Sequence, residues 1–322
     1  MKLTKLVTLG AATLAFFTTA VQAEDWPTQA VHVIVPYSAG GGTDTTIRTL
    51  FPKASEALGQ TIVVENKPGG ATIPATEAVF RAKPDGYTIG AAAAPYTLNT
   101  AMGKPTPYNP VEDFEHVIKL VDLPMCILVS PDHPAHSFAE FVDWAKAQED
   151  PVLYATAGVG SMPHLWGLAF AKSMGFQVEH VGYKGSAPAI LDVMAGNIQV
   201  MFDGITPGCL KGKTGEVRVL ASAWDTRLPL LPDTPTLKEL GYDVPRGSAN
   251  FSLFAPKGTP VDVVAKINAA FQAALDDPET MERLANSGLL PAGGSPEDYH
   301  NFVTSEIAFW TEISKDAGVT SN

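Results

Sequence analysis

Cysteine is nearly absent from this chain: Cys126 and Cys209 are the only two in 322 residues. Disulfides therefore cannot be the main brace of the fold, and stability has to come from a packed core. An exported protein could join the two. Cys126, however, sits in the apolar run Met125-Cys126-Ile127-Leu128-Val129 and equally suits a buried thiol, so the pairing stays open. Charge is also scarce, at 17% of residues, and basic charge scarcer still: 22 Lys and Arg stand against 34 Asp and Glu, for a net −12 with no basic cluster. That balance excludes nucleic acid as a partner, because phosphate contacts supply most of such affinity, and it argues against an anionic membrane surface. A small anion is not excluded, since fixed local dipoles at a site outweigh a diffuse, screened net charge.

Long apolar runs are missing beyond the first residues, so no later segment reaches the ~20 apolar residues of a membrane helix. Catalytic signatures are missing too. Neither Gly-x-Ser-x-Gly nor His-Glu-x-x-His occurs, and Gly212-Lys213-Thr214 fails as a phosphate loop because Pro207 stands where its first glycine belongs. His133-Pro134-Ala135-His136 has close histidine spacing, but its prolines make it a turn, with no further Cys or His nearby in sequence to complete a zinc site.

What is present starts with an export signal. Lys2 and Lys5 precede an apolar stretch from Leu6 to Ala20, and Val21-Gln22-Ala23 places small residues for cleavage after Ala23. Removal of residues 1–23 leaves 299 residues, a length for about two domains, and takes the net charge from −12 to −14 with the loss of the two lysines. The mature chain is expected to be soluble, with no membrane insertion.

Strand and helix patterns then alternate. Val31–Pro36, Thr61–Asn66 and Thr88–Ala93 read as strands. The spacing predicts helices over Thr43–Leu58, kinked or started by Pro52, and over Ile73–Ala82. A βαβαβ run of this kind implies a parallel sheet covered on both faces. After a proline-rich connector at 103–113, strands are expected at Cys126–Val129, Val152–Ala155, Glu179–Tyr183, Gln199–Phe202 and Arg218–Ala221. Helices are expected at Ser137–Ala147, His164–Ser173 and Ala187–Ala195. A second proline-bearing stretch, 224–250, leads to a strand at Phe251–Ala255. Helices near Pro260–Leu275, Pro278–Ser287 and Pro296–Asp316 follow, each with proline in or near its first turn. The expected organisation is two α/β lobes, residues 24–122 plus 225–322 and residues 123–224, joined by two crossings that form a hinge.

Two loops carry the chemistry. Pro36-Tyr37-Ser38-Ala39-Gly40-Gly41-Gly42-Thr43-Asp44 runs from a strand's carboxyl end into a helix. Its glycines let a ligand approach the backbone, Thr43 or Asp44 can cap the helix, and the free N–H groups with the dipole's positive end suit a carboxylate or phosphate. Ala155-Thr156-Ala157-Gly158-Val159-Gly160-Ser161-Met162-Pro163-His164 repeats the device, with Ser161 as the expected cap. Facing each other across a cleft, the loops would share the oxygens of one carboxylate.

The chain resembles the Bug-type, TctC-like substrate-binding proteins of tripartite tricarboxylate transporters. The matching stretches are VIVPYSAGGGTD (Val33–Asp44), LGQTIVVENKPG (Leu58–Gly69), PDGYT (Pro84–Thr88), AGVGSMPHL (Ala157–Leu165) and GYKGSAPAILDVMAGNIQVMF (Gly182–Phe202), spread over nearly the whole mature chain in the family's order. The resemblance implies a two-lobed α/β periplasmic binding-protein fold, type II-like, each lobe a mainly parallel sheet flanked by helices, with a cleft and hinge between. It implies capture of a small organic carboxylate (a di- or tricarboxylate, an acidic amino acid or an aromatic acid) and delivery to a permease of one large and one small membrane subunit. No catalysis, cofactor or metal is implied, and a monomer is expected. Tyr37, Ser38, Ala39, Gly40, Gly41, Gly42, Thr43 and Asp44 with Ala157, Gly158, Val159, Gly160 and Ser161 would anchor the carboxylate. Ala93, Ala94, Pro95, Tyr96, His164, Tyr183 and Asp203 would line the rest. The turn Gly69-Gly70-Ala71-Thr72-Ile73-Pro74 departs from the family's usual form at Pro74, and the small run Ala91–Ala94 leaves space for a bulky ligand.

Arg48 and Lys184 are lesser anion candidates, since charges so placed are more often solvated surface groups. The same fold would also serve a secreted sensor that presents its ligand to a signalling receptor. An exported hydrolase using Ser161 and His164 is a third reading, without any suggested acid to orient the histidine.

Overall fold

A computed structural model describes residues 26–204, 207–245 and 247–319. The expected signal and its cleavage site after Ala23 lie outside the described residues. The elements in order are β1 (Val31–Val35), α1 (Gly42–Leu58), β2 (Ile62–Asn66), α2 (Ile73–Phe80), β3 (Thr88–Ala92), α3 (Pro95–Ala101), β4 (Phe114–Val129), α4 (Phe138–Lys146), β5 (Val152–Thr156), α5 (Met162–Met174), β6 (Val178–Gly182), α6 (Ser186–Met194), β7 (Val200–Gly204), α7 (Pro207–Leu210), β8 (Arg218–Ser222), β9 (Ser248–Pro256), α8 (Val261–Asp276), α9 (Pro278–Asn286), β10 (Leu290–Gly293) and α10 (Pro296–Asp316).

The strands form two sheets that share β4. Along the path β2-β1-β3-β9-β4, the first sheet is parallel from β2 to β3 and antiparallel from there on, with β10 antiparallel on β4. In the second, β6, β5 and β7 are parallel, while β4 is antiparallel to both β7 and β8. Each sheet is thus a parallel set of three strands from the βα alternation, extended by antiparallel pairings with β4, β8, β9 and β10. β4 pairs with β9 from Phe114 to Pro124 and with β7 and β8 from Met125 to Val129. Pro124 has no N–H to give a ladder, and it sits where β4 changes partners.

Alternation along the strands explains why they read as continuous apolar runs. Val33 and Val35 enter one cluster with Ile47, Leu50, Leu253 and Phe271, while Ile34 enters another with Val79, Tyr96 and Phe254 on the opposite face. In the second sheet Met125, Ile127 and Val129 pack with Trp166 and Phe202, and Cys126 and Leu128 pack on the other side with Ile190 and Met201. Full burial of each such aliphatic or aromatic side chain contributes about 2 kcal/mol before entropy is charged against it.

Three expectations are corrected. α1 begins at Gly42 and runs through Pro52, so the proline does not mark its start. α3 replaces the expected strand end at Ala93–Tyr96, and β10 had no counterpart in the sequence reading. β4 is a 16-residue strand and not the four-residue Cys126–Val129. Core packing also runs across the expected lobe boundary, with Leu237, Tyr242 and Trp310 in the cluster of the second sheet.

Strand directions follow from the pairing. β9 is antiparallel to both β3 and β4, so β3 and its parallel partners β1 and β2 point the same way as β4. β7 is antiparallel to β4, so β7, β5 and β6 point back toward the first sheet. The carboxyl ends of both parallel sets therefore face one another along β4. Ala92 is level with Lys119 through Ser252, and Gly204 is level with Met125. The six residue steps from Lys119 to Met125 span roughly 20 Å of strand, and the connecting loops occupy that space.

Candidate ligand-binding site

The first loop leaves β1 and enters α1 through Gly41, its N-cap residue. Gly40, at φ +80°, makes the turn. Its N–H donates to Asp44 Oδ2 at 2.9 Å, and the Gly41 N–H donates to the Ser38 carbonyl at 3.1 Å. Asp44 is buried and is the centre of a network: Arg48 Nε donates to Oδ2 at 2.9 Å and Asn66 Nδ2 to Oδ1 at 2.9 Å. Burial alone would raise the Asp44 pKa, but the hydrogen bonds from Arg48, the Gly40 amide and Asn66, with the Arg48 charge, outweigh it and bring it down to about 2. Asp44 thus braces the loop from within the helix instead of capping it. The first-turn amides of Gly42, Thr43 and Asp44 have no protein acceptor among the described residues, as the start of a helix requires. Ser38, Ala39 and Gly40 are exposed beside them.

The second loop leaves β5 after Thr156 and enters α5 through Ser161. Ser161 stands at the N-cap, yet its hydroxyl donates backward to the Gly158 carbonyl at 2.7 Å and makes no cap bond. The Gly158 N–H donates to Thr156 Oγ1 at 3.2 Å, and the Gly160 N–H to His164 Nδ1 at 3.1 Å. Both glycines have positive φ, +147° and +74°, and a Cβ on Gly158 would lie 3.1 Å from the Tyr183 carbonyl oxygen. The amides of Ala157, Val159 and Met162 are left without a protein acceptor among the described residues. In both loops, then, the amides of Gly40, Gly41, Gly158, Gly160 and Ser161 are spent on loop shape, while those of Gly42, Thr43, Asp44, Ala157, Val159 and Met162 stay open to a ligand.

The remaining candidates divide. Ala94 and Pro95 are half-buried at the end of β3, beside the first loop because β3 pairs with β1. Tyr96 is core: it is buried, stacks on Phe254 and donates to the Pro110 carbonyl at 2.9 Å. Tyr37 is half-buried, and burial raises its pKa. Tyr183 begins the loop after β6, but its hydroxyl is committed to Asp192. Asp203, buried in β7, accepts from Ser186 Oγ at 2.9 Å. His164 is buried behind the second loop, its ring stacked on His180. Arg48 is tied to Asp44, and Lys184 is exposed. Met102, just after α3, would touch a Cβ on Gly160 at 3.2 Å, which links the β3 end of the first sheet to the second loop. Sequence reasoning missed Asn66 and His180. Asn66 was legible only as a polar residue closing an apolar strand, and His180 only as a histidine within one.

His133 is buried, its Nδ1 accepting from the Ala135 amide at 3.1 Å, and among the described residues no group of three or more Cys, His, Asp or Glu could hold a metal. Cys126 and Cys209 are both buried and form no disulfide with each other.

The family model described as "Tripartite tricarboxylate transporter family receptor" matches residues 46–319. The chain belongs to this family. It is 29% identical to Protein BugT of Bordetella pertussis over 300 residues, 92% of each protein. Among solved structures it is similar to Rpa4515 of Rhodopseudomonas palustris with adipate, at 32% identity and a TM-score of 0.77 over 92% of this chain and 99% of that one. It is also similar to MatC of the same organism with bound malate, at 30% identity and a TM-score of 0.72 over 89% of this chain and 99% of that one. The fold is that of the TctC-type periplasmic binding proteins, and the role of the family is that of a substrate-binding receptor.

Proposed function

We propose that this receptor captures a small organic carboxylate between two lobes and passes it, chemically unaltered, to the large and small membrane subunits of a tripartite transporter. The lobes are residues 24–122 plus 225–322 and residues 123–224, with α10 bridging both. What supports the division is the change of β4's partners at Pro124–Met125 and the return crossing between β8 and β9. The protein would act in the periplasm as a monomer after removal of residues 1–23.

One observation carries the reading: two strand-to-helix loops, one per sheet, each offer unspent amides toward the other along β4. Ser38 to Asp44 and Ala157 to Ser161 would hold the carboxylate, and their helix dipoles favour its charge. Tyr37, Ala94, Pro95, Tyr183 and Asp203 would line the remainder, with His164 behind. Closure would remove water from these bonds and strengthen them. Malate and adipate, held by the two similar proteins, are both dicarboxylates, which makes that class the first to test.

Binding without turnover is supported by the loop itself. The Ser161 hydroxyl proton goes to the Gly158 carbonyl and the His164 Nδ1 lone pair is taken by the Gly160 amide, so no base is directed at that hydroxyl. A thermal-shift panel of organic acids, with mass spectrometry of retained ligand, tests the proposal. An acid present at 100 times its Kd adds about 2.7 kcal/mol of stability. A broad panel that never moves the midpoint, with no acid retained, would defeat it. Binding to a sensor domain instead of the permease would favour the signalling alternative.

A further inference from the structure

Two histidines lie directly behind the second loop. The rings of His164 in α5 and His180 in β6 stack with centroids 3.8 Å apart and planes 26° from parallel. His164 Nδ1 receives the Gly160 N–H, so that nitrogen carries the lone pair and the proton of the neutral ring sits on Nε2. His180 Nε2 meets Thr156 Oγ1 at 2.7 Å, and the same oxygen accepts the Gly158 N–H at 3.2 Å. The two glycine amides that shape the loop thus both end on the pair, Gly160 directly and Gly158 through Thr156. Between them stands Val159, a residue 77% exposed whose amide has no protein acceptor among the described residues.

We infer that His164 and His180 are positioning residues: a neutral stacked pair that fixes residues 157–161 in the shape that receives the carboxylate, and so sets the receptor's affinity. This rests on the proposed carboxylate reading of the same loop. The pair is built to stay neutral. Burial lowers the His164 pKa to about 4, and burial together with the neighbouring His164 does the same for His180. The other titratable group facing them is Tyr154 of β5, whose hydroxyl donates to the His164 carbonyl at 3.0 Å and whose ring lies 5.0 Å from that of His180. Among the described residues, no carboxylate raises the pKa of either histidine. A proton on His164 Nδ1 would set N–H against N–H at Gly160, and two imidazolium rings at stacking distance would repel.

The test compares wild type with His164→Asn, which keeps an acceptor near the position of Nδ1 but does not titrate, and His164→Phe, which keeps a ring but has no acceptor. Without ligand, hydrogen exchange is followed at the Gly160 amide; with malate and adipate as probes, Kd is measured by calorimetry. At pH 7 the Phe variant should exchange at least tenfold faster at Gly160 and bind at least tenfold more weakly, while the Asn variant recovers most of both. Near pH 3.5 wild type should lose its protection at Gly160 and the Asn variant keep it. Equal protection in wild type and Phe variant, or equal weakening by Asn and Phe, would show mere packing and overturn the inference. Should the Phe variant not fold, Thr156→Val against Thr156→Ser reads the same linkage at Gly158, with protection lost in Val and kept in Ser. A wild type that binds no acid would sink the carboxylate reading, and the exchange comparison would still decide the histidine pair.

Discussion

Asn66, the last residue of β2, reaches Asp44 in the first turn of α1: its Nδ2 donates to Asp44 Oδ1 at 2.9 Å while also donating to the Tyr37 carbonyl at 2.8 Å. One amide thus ties the start of the first loop to the helix at its end. The loop's shape is held by side chains from outside it, and the amides it offers are those left over.

Asp44→Ala should therefore cost stability and affinity together. It removes the buried charged acceptor shared by the Gly40 amide, Asn66 and Arg48, and the loss of hydrogen bonds to a charged group costs about 1.5–3 kcal/mol. Urea unfolding at pH 7 should show a loss of about 3 kcal/mol. Asn66→Ala should cost less, and the double variant less than the sum, since the two share a bond. The pH sign follows from a folded pKa of about 2 against an ordinary 3.8: the contribution is full above 3.8 and is lost as pH falls from there toward 2. Strict additivity would mean that the network is not one unit.

Glycine substitutions should rank by what a Cβ meets. Gly40 has φ +80° with nothing within 4 Å of an added Cβ, so Gly40→Ala bears only the left-handed strain, about 1 kcal/mol. Gly158 has φ +147° and would also press on the Tyr183 carbonyl oxygen at 3.1 Å, so Gly158→Ala should cost at least twice as much and displace the second loop. Equal urea midpoints for the two variants would contradict this.

The sequence made the two loops legible because glycine, a following helix pattern and a preceding β-branched strand are local signals. It also made the strand–helix alternation legible. What it concealed was long-range. Phe114–Pro124 carries the same apolar character as the strands already identified, but nothing local says that one strand serves two sheets or that β9 will invert the sheet's direction. β10, four residues containing Pro291, has no strand signature and exists because β4 offers it an edge. Tyr96 was placed in the pocket because its neighbours are there, whereas helical phase in α3 turns it into the core. The sequence marks each loop as a whole, because glycine lets a ligand approach the backbone, without saying which amides are open. Only geometry reveals that Thr156, His164, Asp44 and Ser38 have already claimed those of Gly158, Gly160, Gly40 and Gly41.

Mild acid should weaken the fold before carboxylates titrate. His116, His164 and His180 all have pKa values lowered to about 4, burial being the first cause for each. Against an unfolded value of 6.5, the unfolded chain takes up protons that the folded one refuses, so stability is full above 6.5 and falls as pH drops toward 4. For His164 alone the complete loss is on the order of 3 kcal/mol. Urea unfolding at pH 7 and pH 4.5 should show the decline, and His164→Asn should reduce its size. A flat profile between those values would refute the neutral assignment of the buried histidines.

Both cysteines should stay reduced even where oxidation is favoured. Cys126 is fully buried in β4, where its neighbours across the ladder are Asp203 and Ser222, and Cys209 is fully buried with its Sγ donating to the Gly204 carbonyl at 2.9 Å. A disulfide needs Cβ atoms about 4 Å apart with a set dihedral, and the two side chains share a cluster without bonding to each other. In the periplasm proposed for this receptor, any pair able to meet would be joined. A thiol-specific reagent should therefore find no reactive sulfur in the native protein purified without reductant. It should find both sulfurs after denaturation. Recovery of neither thiol from the unfolded chain would show that they had joined, and would require β4 and the Cys209 segment to pack differently from the arrangement described.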